Sequence, residues 1–196
     1  IKKGQSRPQG FERTTTKKVG ILGAGMMGAG IAYVTAKAGI DVVLLDTEIA
    51  NAEKGKAYSA NILDKAISRK HATEEKKQAL LERITPTVSY DDLADCDLII
   101  EAVFENREIK AKCTQQSEAV ISNTAVYASN TSTLPITGLA KASTRPNQFI
   151  GLHFFSPVNK MPLVEIIMGE QTDNATLAKA FDYVVQVGKT PIVVND

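Results

Sequence analysis

The chain has 196 residues, of which 43% are hydrophobic, enough to bury the core of one ordinary globular domain. Its 23 Lys and Arg residues nearly balance its 22 Asp and Glu residues, giving a formal net charge of +1. This balance argues against a partner recognised by bulk charge, such as nucleic acid or an anionic membrane, so any bound anion must be held locally.

The apolar runs and the cysteines point to a soluble, intracellular protein. The longest apolar runs are interrupted by glycines or acids and are too short for a transmembrane helix, and no signal-peptide pattern precedes them. Cys96 and Cys113 lack the spacing of a zinc site and lie in an apparent strand entry and an apparent helix. We therefore expect neither zinc nor a disulfide, and a reducing compartment.

The first 17 residues are polar and basic and have no hydrophobic periodicity, which is typical of a linker. The chain begins with Ile rather than Met, and it stops just after an apparent strand. We expect residues 1–17 to be a linker from a preceding domain, residues 18–196 to be one domain, and the whole to be part of a longer polypeptide.

From residue 18 onward, short apolar or β-branched runs alternate with helical patterns, which indicates βαβ units and a parallel sheet. The runs are KVGIL (18–22), DVVLLD (41–46), a weaker TPTVS (85–89), DLII (97–100), AVYAS (125–129), FIGLHF (149–154), LVEII (163–167) and PIVVN (191–195). Between the second and third runs, segment 47–84 predicts two helices, and a late helix is predicted from Asn174 to Val187, with Gly188 as its stop. The predicted fold is α/β: a Rossmann-type, doubly wound, mostly parallel sheet with helices on both faces and an enlarged helical crossover after the second strand.

A glycine motif connects the first predicted strand to the first predicted helix. Gly23, Gly25 and Gly28 form a GxGxxG, in which they permit a tight turn, close approach of a pyrophosphate, and close packing of helix on strand. Asp46 ends the second strand, where its carboxylate can bond a ribose diol and repel a 2′-phosphate. The pattern predicts NAD binding rather than NADP binding; the alternative is a glycine turn kept only for packing.

Polar residues follow the fourth and fifth strands, where ligands of open α/β sheets bind. After the fourth strand come Glu101, Glu105 and Lys110. After the fifth come Asn130, Thr131 and Ser132. The second group can face a nicotinamide ring, or alternatively can cap a helix near Pro135.

His153 ends the sixth strand and Glu165 lies on the seventh, both in otherwise apolar runs. A histidine is the usual general base near neutral pH, and a carboxylate beside it fixes its tautomer and stabilises its protonated form. Removing an alcohol proton while hydride leaves for NAD needs such a base. The alternative is a satisfied core histidine with an edge-strand glutamate. The other histidine, His71, lies in a polar helix junction and is expected to be solvated.

These motifs together resemble the L-3-hydroxyacyl-CoA dehydrogenase family, and more closely the dehydrogenase region of multifunctional fatty-acid oxidation proteins. The resemblance covers nearly everything from Lys18 to Asp196. It is carried by GILGAGMMGAGIAYVTAKAGIDVVLLD, DLIIEAVFEN, ASNTST, GLHFFSPVNKMPLVEII and GKTPIVVND.

The resemblance implies that His153 is the catalytic base and Glu165 its partner, with Ser132 close to the reacting hydroxyl and Glu101 in support. It implies an NAD site that contains Gly23, Gly25, Met27, Gly28, Asp46, Val103, Phe104, Glu105, Lys110, Asn130, Ser132 and Ser156. At Ser156 many members carry asparagine, whose amide reaches further than a hydroxyl. The family substrate is a coenzyme A thioester; Lys54, Lys65, Arg69 and Lys70 can meet its phosphates or can simply form a solvated helix face.

The resemblance also implies NAD-dependent oxidation of L-3-hydroxyacyl-CoA to 3-oxoacyl-CoA in fatty-acid β-oxidation. The expected partners are a thiolase subunit and a second copy, which would dimerise through a C-terminal helical domain that this chain lacks. A preceding enoyl-CoA hydratase domain and a bacterial cytoplasm, rather than a mitochondrion or peroxisome, are expected as well. Without the helical domain, the chain should bind NADH but turn over poorly. The alternatives are another β-hydroxyacid-type dehydrogenase and a non-catalytic dinucleotide-binding module.

Overall fold

A computed structural model describes residues 7–196, so the first six residues of the linker expected over residues 1–17 lie outside the described residues. A single eight-stranded sheet forms the centre of this described part. Its strands are β1 (Lys18–Leu22), β2 (Asp41–Leu45), β3 (Ile84–Thr87), β4 (Leu98–Glu101), β5 (Val126–Ser129), β6 (Phe149–Phe154), β7 (Leu163–Met168) and β8 (Thr190–Asn195). Each strand predicted from the sequence is present, with bounds that differ by a residue or two.

The strand order is β3-β2-β1-β4-β5-β6-β7-β8. Neighbours from β3 to β6 are parallel, β7 runs antiparallel to β6, and β8 runs parallel to β7. The chain moves outward from β1 to β3 and then crosses to β4 on the other side of β1. This reversal leaves a crevice at the carboxyl ends of β1 and β4, where ligands of such sheets bind.

Helices cover both faces of the sheet. They are α1 (Met26–Lys37), α2 (Ile49–Ser68), α3 (Glu74–Glu82), α4 (Arg107–Glu118), α5 (Ile136–Leu139) and α6 (Asn174–Gln186). One buried cluster joins the sheet to α1, α2, α3 and α6, and a second joins its other face to α4 and α5. The predicted doubly wound fold is therefore confirmed, and α2 with α3 forms the predicted enlarged crossover.

Residues 7–17, which we call the N-terminal strap, form neither helix nor strand, as their composition predicts. They are nevertheless bonded to α6. Arg7 donates from Nε and Nη2 to the two carboxylate oxygens of Asp182 at 2.8 and 2.9 Å, and Asp182 also accepts from the Thr14 backbone N–H. Thr16 exchanges two hydrogen bonds with the Gln186 side chain. A free linker would make no such set of contacts.

The strap crosses the sheet at the amino ends of its strands. Both Lys17 and Lys18 donate backbone N–H bonds to Asp97, which immediately precedes β4. Beneath the strap lies a pocket of about 220 Å³, lined by Thr14, Thr15, Thr16, Asp97, Leu98, Thr124, Val126, Lys179 and Ala180. Within residues 7–196, no helix is long and apolar enough to cross a bilayer, and no cluster of acidic, His and Cys side chains could hold a metal ion.

Candidate cofactor and active site

The glycine turn lies at the crevice between β1 and β4. Gly23 has φ +95°, a conformation that side chains disfavour, and a Cβ there would lie 2.6 Å from the Ala102 carbonyl oxygen. A Cβ on Gly28 would lie only 1.7 Å from the Gly23 carbonyl oxygen. By contrast, no atom of residues 7–196 other than Gly25 and its chain neighbours lies within 4 Å of the position that a Cβ on Gly25 would occupy. Gly23 and Gly28 thus shape the turn, whereas Gly25 leaves open space above it.

Helix α1 begins at this turn, and no side chain in the described part of the chain caps it. Its N-cap residue is Gly25, and its first turn contains no acid, so its amide groups and positive dipole end remain available to an anion. The Met27 side chain packs against the core, so the group it offers the turn is its backbone N–H. The neighbouring Met26 side chain is 72% exposed instead. An uncapped helix start beside open space fits a dinucleotide pyrophosphate.

Asp46 follows β2 and is bonded to the glycine turn. Its Oδ2 accepts from the Ala24 backbone N–H at 2.9 Å, and its Oδ1 accepts from the Thr47 N–H at 2.7 Å. These bonds hold the carboxylate beside the turn while leaving the residue partly exposed. This is the position from which a carboxylate can bond a ribose diol.

A buried ion pair lies under the loop that follows β4. Glu101 is 1% exposed and accepts from Lys110 Nζ at 2.6 Å, from Ser129 Oγ at 2.7 Å and from the Val103 N–H at 2.9 Å. Lys110 is only 2% exposed. Its ammonium therefore lies beneath the loop and supports it, also 3.8 Å from Glu105 Oε1, and its place in the NAD site stays a prediction.

Glu105 joins this loop to the loop after β5. Its carboxylate accepts from the Thr131 and Thr133 hydroxyls at 2.7 and 3.0 Å and from the Ser132 N–H at 3.4 Å. Partial burial raises the pKa of Glu105, but these hydrogen bonds and the Lys110 charge outweigh burial and hold it below its usual value. The carboxylate is thus charged and ties Ser132 to the crevice. Phe104, which precedes it, is 83% exposed.

Asn130 and Thr131 do not cap the helix near Pro135, so that alternative is wrong, whereas their place facing a nicotinamide ring stays a prediction. The Asn130 side-chain oxygen accepts from the Phe154 backbone N–H at 2.8 Å, so it joins the ends of β5 and β6. Helix α5 has Pro135 as its N-cap residue and receives no side-chain cap, so none of the residues after β5 caps it. The Thr131 hydroxyl accepts instead from the Leu134 N–H within the preceding turn.

His153 and Glu165 face each other on β6 and β7. They are direct partners in the antiparallel pairing, and His153 Nδ1 lies 3.7 Å from Glu165 Oε2. Both side chains are partly exposed, at 21% and 38%. Because β7 lies between β6 and β8, the alternative of an edge-strand glutamate is wrong. The His153 ring also packs against Phe155, with ring centroids 4.6 Å apart.

Ser156 lies in the β6–β7 turn, at the side of the crevice. Its hydroxyl lies 3.7 Å from the exposed Met26 sulfur, a weak contact that connects this turn to the start of α1. Four further residues of the site, Met26, Ser129, Thr133 and Phe155, are not predicted from the sequence. Met26 occupies a variable position of the glycine motif, Ser129 and Thr133 are small hydroxyl residues, and Phe155 is an aromatic residue. None of these residue types indicates a site in the sequence until its contacts are known.

Comparisons with known proteins show the family to which the chain belongs. A family model described as "3-hydroxyacyl-CoA dehydrogenase, NAD binding domain" matches residues 18–196. The fatty acid oxidation complex subunit alpha of Idiomarina loihiensis is 44% identical over 197 residues, and that of Colwellia psychrerythraea is 43% identical over 179 residues. These matches cover 99% and 91% of this chain, but the chain spans only 27% and 25% of those proteins.

Solved structures give the same result. The crystal structure of (S)-3-hydroxybutyryl-CoA dehydrogenase from Ralstonia eutropha is similar with a TM-score of 0.90 and 43% identity, over 93% of this chain and 64% of that one. The dehydrogenase part of multifunctional enzyme 1 from C. elegans has a TM-score of 0.85 and 26% identity, over 99% of this chain and 45% of that one.

Proposed function

Because the chain belongs to the 3-hydroxyacyl-CoA dehydrogenase family, as its NAD-binding domain, we propose that it carries the cofactor site and the acid–base pair for oxidation of L-3-hydroxyacyl-CoA to 3-oxoacyl-CoA. One observation carries the proposal. His153 and Glu165 are paired across β6 and β7, and the residue after His153 is bonded to the end of β5, close to the cofactor crevice.

The reaction needs a base and a hydride acceptor. When bound, NAD supplies the hydride acceptor. His153 removes the proton of the substrate 3-hydroxyl at Nε2 as the carbinol hydrogen leaves with its electron pair, so that a carbonyl forms and the imidazole becomes charged. Glu165, beside Nδ1, stabilises that charge and favours the tautomer that keeps Nε2 free to accept. The imidazolium then releases its proton to solvent.

The residues of the proposed cofactor site would bind NAD through the shape of the crevice and through fixed charges and dipoles. The uncapped start of α1 and the space above Gly25 would receive the pyrophosphate, and Asp46 would bond the ribose diol and disfavour a 2′-phosphate. Val103, Phe104 and Ser132 would then lie along the cofactor, with Ser132 also near the substrate hydroxyl. Ser156 would contact the nicotinamide end from the opposite side of the crevice.

The relatives named as subunits of a fatty acid oxidation complex support a wider proposal. We propose that the natural protein acts in fatty-acid β-oxidation in a bacterial cytoplasm, with a thiolase as partner. Dimerisation through a C-terminal helical domain, and an enoyl-CoA hydratase domain before residue 18, belong to the same proposal. The coenzyme A phosphates could meet the basic residues of α2.

The test is acetoacetyl-CoA-dependent oxidation of NADH by the full-length natural protein, followed by absorbance. His153→Asn should lower kcat by about 10²- to 10⁴-fold while NADH binding stays unchanged, because the change removes the base and leaves the cofactor site intact. His71→Asn, on the solvated α2–α3 junction, is the matched control and should have no effect.

Two results would contradict the proposal. Wild-type protein that binds NADH but has no activity would favour a non-catalytic dinucleotide-binding module. Equal activity on a CoA-free 3-hydroxyacid would favour another β-hydroxyacid-type dehydrogenase.

A further inference from the structure

The side chain of Asn130 continues the hydrogen-bond ladder between β5 and β6 beyond the point where the strands themselves pair. From this geometry we propose that Asn130 is a positioning residue for His153 and not a cofactor ligand. The inference rests on the proposed function, in which His153 is the base. It assigns to Asn130 a role in holding the end of the catalytic strand.

The backbone pairing of β5 with β6 ends at Ser129 and Gly151. Strand β6 continues through Leu152 and His153 to Phe154, with no strand residue of β5 opposite. At this point the chain after β5 still follows β4, because the Asn130 N–H donates to the Glu101 carbonyl at 2.8 Å. The Asn130 side chain spans from there to β6, where its oxygen accepts a hydrogen bond from the Phe154 backbone N–H at 2.8 Å.

This bond gives the Phe154 backbone N–H an acceptor at a position where β5 no longer supplies one. Phe154 is 1% exposed, and a buried backbone N–H without an acceptor costs about 1–3 kcal/mol. Successive backbone N–H groups of a strand point to opposite neighbouring strands. The N–H of Phe154 therefore points toward β5, whereas the N–H of His153 points toward β7. The strand end is thus held on both sides: by β7 at His153 and by Asn130 one residue later.

Holding the strand end matters because the His153–Glu165 contact would be lost if the two side chains moved further apart. At 3.7 Å, the Nδ1–Oε2 distance is already longer than a hydrogen bond. A strand end released on one side can move away from Glu165 or from the substrate hydroxyl. Displacement of a reacting group by about 1 Å can lower a rate about 10²-fold.

The arrangement also distinguishes Asn130 from a cofactor ligand. Its carbonyl oxygen is already engaged by Phe154, which fixes the plane of the amide. A nicotinamide contact would make NADH affinity sensitive to Asn130, whereas a positioning role would make kcat sensitive and leave NADH affinity unchanged. The two roles therefore predict different kinetic patterns.

The experiment compares Asn130→Ala with Asn130→Asp in the full-length natural protein. The first change removes the acceptor; the second keeps an oxygen at the same position. Asn123→Ala is the control, since Asn123 is exposed and its side chain makes no hydrogen bond within residues 7–196. The readouts are kcat for acetoacetyl-CoA reduction, the Kd for NADH, and hydrogen exchange of the Phe154 amide.

We expect Asn130→Ala to lower kcat by about 10- to 100-fold and to speed exchange at Phe154, with the Kd for NADH changed less than about twofold. Asn130→Asp should restore the protection of Phe154 and most of the lost kcat. An unchanged kcat in Asn130→Ala, or unchanged exchange at Phe154, would overturn the proposal. So would a Kd raised tenfold with kcat intact, because that pattern identifies a cofactor ligand.

A wild-type protein without activity would contradict the proposed function instead. In that case the exchange measurement still reports whether Asn130 holds the strand end. The two failures are therefore distinguishable.

Discussion

Glu165 lies directly opposite His153 in the β6–β7 pairing, so the fold itself places a carboxylate beside the imidazole. Side chains directly across an antiparallel pair are close neighbours, because their Cβ atoms are about 5 Å apart. The placement does not depend on a mobile loop. It depends on the register of β6 and β7, neither of which is an edge strand, and the two β7 residues beside Glu165, Val164 and Ile166, are fully buried.

Glu165→Gln should lower kcat by about 10- to 100-fold, less than the loss for His153→Asn, because the base remains but loses the charge that stabilises its protonated form. The Kd for NADH should not change. Steady-state kinetics and fluorescence titration measure the two quantities. Glu170→Gln, an exposed change just past β7, is the control, and equal kinetics in both variants would refute the pairing.

The glycine turn predicts opposite outcomes for two similar substitutions. Gly25→Ala should leave the thermal midpoint nearly unchanged but weaken NADH binding at least tenfold, because the new methyl group occupies the open space expected to receive the pyrophosphate. Gly28→Ala should prevent normal folding, since its Cβ would overlap the Gly23 carbonyl oxygen. Circular dichroism and NADH titration distinguish these effects. Tight NADH binding by Gly25→Ala would argue against the pyrophosphate position.

Breaking the Glu101–Lys110 pair should be costly. Lys110→Met leaves the buried Glu101 carboxylate without its cation, and removal of one partner of a buried pair costs about 3–5 kcal/mol. The exposed Lys112→Met on the same helix should change the free energy of unfolding by less than about 0.5 kcal/mol. Urea denaturation gives both values. A Lys110 variant as stable as the Lys112 variant would mean that the pair is not closed in solution.

The strap should make stability depend on pH through Asp182. Burial raises the pKa of Asp182, but the hydrogen bond from Arg7 and the Thr14 N–H outweigh it and hold the pKa below its usual value. A carboxyl whose folded pKa is lowered contributes stability above its unfolded pKa, about 3.9, and that stability is lost as pH falls through the folded pKa.

Wild-type protein should therefore be more stable than Asp182→Asn at pH 7 and at pH 5, and the difference should shrink below about pH 4. Urea midpoints measured at several pH values test this. A difference that stays constant down to pH 2.5 would show that the contribution of Asp182 is not tied to its charge.

The two cysteines should be inert in the folded protein. Burial is the main cause that raises the pKa of Cys96 to about 12, and burial also raises the pKa of Cys113. At pH 8, a thiol reagent such as DTNB should label neither native residue and should label both in urea. Fast labelling of native protein would indicate that the α4 face of the sheet opens readily.

Most of the fold could be predicted because its signals are local. The apolar run before Gly23, the glycines themselves and Asp46 lie within 30 consecutive residues, and each constrains the same strand–turn–helix unit. The pairing of His153 with Glu165 needed one more step, the turn between two adjacent strands. These features depend on contacts between neighbours in sequence.

The remaining features depend on contacts between distant residues. Arg7 is one basic residue among several near the start of the chain, and only the folded structure reveals that Asp182, 175 positions later, is its partner. The sequence predicts Lys110 only as a residue of the NAD site, because the carboxylate with which it forms a buried ion pair, Glu101, lies on β4. The sequence predicts Asn130 as a helix cap or a nicotinamide contact. Its hydrogen bond to Phe154 could not be predicted, because it depends on where β5 ends relative to β6.

The strap and the cofactor crevice lie at opposite ends of the strands, and this separation has a practical consequence. The strap is fastened near Asp97, before β4, whereas Asp46 and the glycine turn follow the strands. A tag, a fluorescent reporter or a surface attachment placed ahead of Arg7 would therefore leave the proposed cofactor crevice open. The same attachment on the β6–β7 turn would obstruct it, so immobilised assays of this domain should be built from the strap side.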